Sequence, residues 1–138
     1  MMISTKGRYA FRIMLDLAQH QDDGYVSLKE IAERQNVSIK YMEAIARRLS
    51  KDGLITAHHG KNGGYVLGRH PADISAGEIL KSAEGELAPV ACAATEAAGC
   101  DNMTECLTYP LWKNLDTRIY AYLDSVSLED VLLGHVNS

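Results

Sequence analysis

Residues 27–53 read SLKEIAERQNVSIKYMEAIARRLSKDG, and this stretch decides the fold. Ser27 and Glu30 have the spacing of a capping box, in which each side chain satisfies the other residue's backbone N–H. Val26 and Ile31 stand at the staple positions around it. Ser38 is a second N-cap with Val37 and Met42 as its staple, although Tyr41 replaces the box glutamate. Only Gln35-Asn36-Val37 separate the two segments. The pattern predicts a helix from Ser27 to about Arg34 and another from Ser38 to about Asp52. Met42, Ile45, Ala46 and Leu49 form the inner face of the second, with Gly53 as its C-cap and Leu54 placed for the accompanying apolar contact. Two short helices on a tight turn, the second longer and basic, make a helix-turn-helix.

Downstream, two β-type runs at 54–58 and 64–67 flank His59-Gly-Lys-Asn-Gly63. Asn62-Gly63 is a hairpin signal. A hairpin directly after a helix-turn-helix is a wing, and Lys61 at its tip suits a phosphate or minor-groove contact. Upstream, Tyr9, Ala10, Ile13, Met14, Leu17 and Ala18 recur at helical spacing, which predicts a first helix over 5–20 ended by Asp22-Asp23-Gly24. Ser75 and Glu78 form another capping box, with Ile74 and Ile79 as staple. The predicted fold is mainly α with a small β-hairpin, a winged helix-turn-helix followed by a long C-terminal dimerisation helix. The predicted division is a DNA-binding domain over 1–84, a cysteine-bearing segment over 85–105 and a dimerisation arm over 106–138.

The net charge of −4 hides a segregation. Residues 38–69 carry six basic and two acidic side chains, whereas 70–138 carry three basic and eleven acidic ones. A basic middle in an acidic chain is the footprint expected of a nucleic-acid face. Side chains from the first turns of a recognition helix reach base edges. Glu43 can accept from cytosine and Arg47 can donate to guanine or phosphate. The plainer alternative is that Glu43 only pairs with Arg47 at i, i+4. The candidate DNA contacts are Ser38, Lys40, Tyr41, Glu43, Arg47, Lys51, His59, Lys61 and Asn62.

From Thr104 on, Leu107, Leu111, Leu115, Ile119 and Leu123 recur every four residues, with Trp112, Tyr122 and Val126 beside them. This predicts an amphipathic helix of about 20 residues. A second copy of the chain is the economical cover for that stripe, and its two-fold symmetry would present two recognition helices to a pseudo-palindromic duplex site. Ser127 caps a short final helix.

Cys92, Cys100 and Cys106 cluster as C-x7-C-x5-C. Three thiolates suit an iron–sulfur cluster or zinc, but no C-x-x-C pair exists, so a zinc ribbon is disfavoured. Thiols that sense oxidants without a cofactor are the alternative. No apolar run approaches the ~20 residues of a membrane-spanning helix, and the N-terminus lacks a secretory pattern. A cytoplasmic protein without membrane contact is the expectation. Phosphate-loop and nucleophile–base signatures are missing, so an enzyme is not expected.

Ser4-Thr-Lys-Gly-Arg-Tyr-Ala10, Ser27-Leu-Lys-Glu-Ile-Ala32, Tyr41-Met-Glu43, Gly60-Lys-Asn-Gly-Gly-Tyr-Val-Leu-Gly68 and Leu111-Trp112 together resemble the Rrf-two family of bacterial winged-helix regulators. The likeness covers essentially the whole chain and is strongest to the family's iron–sulfur cluster branch. It implies a homodimeric transcription factor, with Tyr41 and Glu43 on the recognition helix and Lys61 and Asn62 on the wing, and a repressor is the expected role of this chain. It also implies that Cys92, Cys100 and Cys106 hold a cluster, usually [2Fe–2S]. Tyr109 stands where that branch has a histidine, so the fourth ligand stays open among Tyr109, Asp101, Glu105, a thiol from solution and a residue of a partner chain. The nitric-oxide-sensing branch has an acidic ligand near the N-terminus, where this chain has Arg8. A cysteine-metabolism branch shares the DNA-binding half without the cysteine trio, and implies control by thiol oxidation or a protein effector. Winged helices that bind only proteins, and cluster carriers, are the rivals from other classes.

Overall fold

The turn between Ser27 and Gly53 forms as the caps dictate. In the computed structural model, which describes residues 3–85 and 107–136, α1 (Thr5–Gln19) leads into α2 (Leu28–Gln35) and α3 (Ile39–Lys51). The Ser27 hydroxyl accepts from the Glu30 amide at 3.1 Å while the Glu30 carboxylate accepts from the Ser27 amide at 3.3 Å. Ser38 accepts from the Tyr41 amide, and no reciprocal bond forms because Tyr41 has no carboxylate. Asn36 adopts the left-handed region, with φ 55, and the Val37 amide reaches back to the Ala32 carbonyl at 3.1 Å. Asparagine enters that region at low cost, so it can end α2 and turn the chain within three residues.

The wing follows as β1 (Ile55–His58) and β2 (Gly64–Leu67), antiparallel with Ile55 opposite Leu67 and His58 opposite Gly64. Its tip departs from a two-residue Asn-Gly turn. Five residues separate the strands, and positive φ falls on Gly60 and Asn62 rather than on Gly63. Gly63 is needed for space, because a Cβ there would strike the His58 carbonyl. Val26 adds a bridge that the sequence does not advertise, exchanging backbone hydrogen bonds with Tyr65 at 2.8 and 2.9 Å. The wing is thereby tied to the entrance of α2.

The core gathers Ala10, Ile13, Met14 and Leu17 of α1 against Met42, Ile45, Ala46 and Leu49 of α3. Ile79 and Ala83 of α4 (Ala76–Glu84) close it; of the six staple residues, Val26, Ile31, Met42, Ile74 and Ile79 are buried within it and Val37 is partly buried against it. Glu84, the last residue of α4, caps α1: its carboxylate accepts from the amides of Ser4 at 2.7 Å and Gly7 at 3.2 Å and from the Ser4 hydroxyl. Burial pushes the Glu84 carboxyl up, but those hydrogen bonds and the nearby Lys6 hold it below its ordinary value.

The C-terminal helices are α5 (Tyr109–Ser125) and α6 (Leu128–Leu133). α5 starts later than the apolar repeat predicts. Pro110 lies in its first turn, where the missing N–H costs nothing, whereas in a helix begun a turn earlier it would lose a backbone hydrogen bond and its ring would clash with the preceding turn. Leu107 therefore sits in a turn ahead of α5 and is 96% exposed. Ser127 and Asp130 form another capping box. Two backbone bonds, Ala76 to Val126 at 2.7 Å and Leu128 to Ile74 at 2.8 Å, anchor the α5–α6 junction to the start of α4. Leu128 joins the core cluster. Gly77 allows the close approach, since a Cβ there would strike the Asp124 carboxylate.

Candidate nucleic-acid interface

Helix α3 turns Met42, Ile45, Ala46 and Leu49 inward, which forces Lys40, Glu43, Ala44, Arg47 and Lys51 outward. Between this outer face and the wing runs an open groove of ≈ 580 Å³. Glu43, Arg47, Ser50 and Lys51 form one wall, His59 the other, and Leu28, Ala57 and Tyr65 contribute apolar surface. Four of the sequence-predicted contacts thus share one concavity. Lys40 is exposed on α3, and Lys61 and Asn62 are exposed at the wing tip. The Ser38 hydroxyl oxygen is engaged by the Tyr41 amide, which leaves its hydrogen to donate. Tyr41 is half-buried, with its ring edge-on to Tyr9 at 5.6 Å and 85°. It therefore stands apart from the groove.

The pairing of Glu43 with Arg47 does not form. Among the described residues the ion pairs fall on Asp16, Glu78 and Glu129. Lys40, Arg47, Lys51 and Lys61 likewise enter no ion pair there. His58 is occupied by stacking on Tyr25 at 4.6 Å. Sequence reading missed Ser50 and Tyr65 as groove residues. The alternation of β2 could have indicated Tyr65, but not the side on which the groove opens.

Asp16, another residue that sequence reading missed, locks this frame. It is 2% exposed and accepts from Arg34 through Nε at 3.0 Å and Nη2 at 2.6 Å, and from Gln35 at 3.3 Å. Burial pushes its carboxyl up, but the Arg34 and Gln35 hydrogen bonds and the Arg34 charge hold it below the ordinary carboxylate value. The fork ties α1 to the end of α2, the first helix of the turn.

Cys92, Cys100 and Cys106, with Asp101 and Glu105, lie outside the described residues. Among the described residues no group of three His, Cys, Asp or Glu side chains is assembled to hold a metal. Tyr109 is the half-buried first residue of α5. Arg8 is exposed and reaches Thr5 at 3.4 Å. Among the described residues no helix is long and apolar enough to cross a membrane.

A family model described as an iron-dependent transcriptional regulator, Rrf2, matches residues 3–133. The chain belongs to the Rrf2 (Rrf-two) family. It is 39% identical over 132 residues to the HTH-type transcriptional regulator IscR of Xenorhabdus nematophila, covering 96% of this chain and 79% of that protein. Among solved structures it resembles IscR of T. potens, at 38% identity and TM-score 0.77, over 99% of this chain and 89% of the other. It also resembles CymR, the global cysteine regulator of B. subtilis, at 36% identity and TM-score 0.76, over 99% of both chains. The winged-helix architecture is the one these Rrf2 regulators share. The chain is a transcriptional regulator of this family and not an enzyme.

Proposed function

We propose that this Rrf2 regulator is a cytoplasmic homodimeric repressor that reads a pseudo-palindromic duplex and whose affinity is set at its cysteine segment. The observation that carries the DNA reading is the convergence of Glu43, Arg47, Lys51 and His59 on one groove, with no cation among them spent on an ion pair among the described residues. Arg47, Lys51 and Lys40 supply phosphate and guanine donors, Ser38 donates at the start of α3, and Glu43 accepts from a base. Tyr41 braces α3 through Tyr9. Lys61 and Asn62 carry the wing onto the neighbouring groove, and His59 faces the backbone.

The dimer reading rests on α5. Leu111, Leu115 and Tyr122 are 59, 40 and 52% exposed along one face, while Trp112, Ile119 and Leu123 of the adjoining face are half-buried. An apolar ridge on a helix already docked through its other side needs a second helix. In this reading 1–84 binds DNA, 85–105 senses and 106–138 dimerises.

The donor set of Cys92, Cys100 and Cys106 fits an iron–sulfur cluster by its chemistry: three soft thiolates within a short segment, with one position left for another ligand. When bound, a [2Fe–2S] cluster would supply a redox- and iron-sensitive charge next to the start of α5. Cys106 precedes α5 closely, so ligation there would bias the helix that sets the spacing of two recognition helices. A bias requires different affinity for two arrangements of the dimer. A second reading, thiol oxidation or a protein effector without a cluster, is favoured by the alignment with CymR over 99% of both chains. Protein purified without oxygen separates them. Visible absorption with iron and acid-labile sulfide near stoichiometric per chain is the expected result. A colourless protein that stays iron-free after reconstitution would leave the thiol reading.

A further inference from the structure

We propose that Lys6 and Arg48, on the flank of α3 away from the wing, bind phosphates of the second DNA strand. This rests on the DNA-binding reading above and extends it to residues outside the candidate set.

At about 100° per residue, Lys40, Arg47 and Lys51 mark the centre of the outer face of α3. Glu43 and Ser50 lean from that centre toward the wing groove, whereas Tyr41 and Arg48 lean the opposite way. There α3 meets α1 and α4 around a separate cavity of ≈ 150 Å³. Ala44, Ile45, Ala83 and the Tyr41 ring give it apolar walls, and Lys6 and Arg48 stand at its rim, both exposed. Neither cation enters an ion pair among the described residues. Glu84 is the acid whose field reaches Lys6, but its oxygens are taken by the Ser4 and Gly7 donors. The wall is braced: Tyr41 meets Tyr9 edge-on, and the Arg12 guanidinium lies 4.9 Å from the centroid of the Tyr9 ring.

A helix with its side chains is about 10–12 Å across and the major groove is about 12 Å wide. A seated α3 therefore has a sugar–phosphate strand along each flank. The wing side serves one strand. The other strand must run past Lys6 and Arg48, which supply a point charge and a planar fork to its phosphates. Such contacts carry no base information, but they hold α3 in register.

The test uses the full chain as wild type, as the Lys6→Gln/Arg48→Gln double variant and as the conservative Lys6→Arg/Arg48→Lys pair. The probe is a mixed-sequence duplex long enough for two half-sites. Each lost phosphate contact flattens the plot of log affinity against log salt by about 0.9, so the glutamine pair is expected to flatten it by roughly 2 for each seated chain. The conservative pair keeps the slope, and all three proteins melt at the same temperature. Phosphate ethylation interference is expected on both strands for wild type, with one strand of each half-site lost in the glutamine pair. An unchanged slope with an unchanged interference pattern overturns the proposal while leaving the wing-side reading intact. A wild type without salt-dependent duplex binding overturns both. Inorganic phosphate that competes through Lys6 and Arg48 beyond chloride at equal ionic strength, with the slope unchanged, assigns the cavity to a free anion and also overturns it.

Discussion

The junction of α1 and α2 and the outer faces of α3 and α5 use the same kinds of residue in opposite ways. At the junction Arg34 is bound through two nitrogens to the buried Asp16, and Gln35 and His20 complete the shell. On α3, Arg47 stands over an open groove and enters no ion pair among the described residues. Leu128 of α6 is fully buried, whereas Leu111 of α5 is mostly exposed. Groups satisfied inside the chain set its stability. Groups left unsatisfied on its surface are available to a duplex and to a second copy. The two classes should therefore separate cleanly when mutated.

The largest separation is expected on α5. Leu111→Glu with Leu115→Glu places charge on the exposed apolar ridge, and analytical ultracentrifugation should find a folded monomer. Losing the second recognition helix then weakens duplex binding by about 10²–10⁴-fold, the usual scale of a lost second site. A variant that remains dimeric places the interface elsewhere. Next comes Arg34→Met, which strands the Asp16 carboxylate. The cost is about 3 kcal/mol, the low end for a broken buried pair, because Arg34 itself is 38% exposed and partly solvated. Chemical denaturation reads it. Because the folded carboxyl of Asp16 is held below its unfolded value, its contribution is present above the unfolded value, near pH 3.9, and is lost as pH falls through the folded one. The variant should flatten that acid limb. An unaltered limb would mean that another carboxylate, such as Glu84, dominates it.

The elements were legible because their signals are local. Ser27, Ser38 and Ser75 each cap the helix that their spacing predicts, and the inner face of α3 is the one its apolar period marks. The outer face of α3, and with it most of the candidate contacts, followed by subtraction. What joins the elements was not legible. Asp16 and Arg34 lie 18 positions apart, and Glu84 reaches Ser4 across 80. No short-range pattern encodes either pairing, because each depends on how helices cross. Val26 reads as a staple residue yet also bridges to Tyr65, a role that exists only once the wing folds back. The late start of α5 was available in Pro110, but the leucine repeat is the stronger signal and masks it. For the groove, periodicity shows that Glu43 and Arg47 point outward. It does not show that Glu43 shares a groove with the wing while Arg48 shares a cavity with Lys6 of α1.

On α3 the fold should be insensitive where binding is not. Arg47→Ala is expected to change stability by no more than about 0.5 kcal/mol while weakening duplex binding by about 1–3 kcal/mol. Fluorescence anisotropy at fixed salt, beside a denaturation curve, checks both halves. Comparable losses in the two would move Arg47 into the class of Arg34 and dissolve the distinction.

The smallest and most discriminating change is Glu43→Ala. An acid that faced phosphate alone would only repel, and its removal would tighten binding to every sequence by a small, equal factor. An acid that accepts from a cytosine amino group repels on average but favours one base. Its removal should raise affinity for a mixed-sequence duplex by about twofold, on the order of 0.4 kcal/mol as for a weak exposed charge pair. It should also erase the preference at one position of each half-site. Selection from a random pool, sequenced for wild type and variant, reads both effects. Lost preference at one position together with that small gain makes Glu43 the residue that selects. A uniform gain makes it a charge on a solvated face, and selection would then fall to Arg47 and the wing.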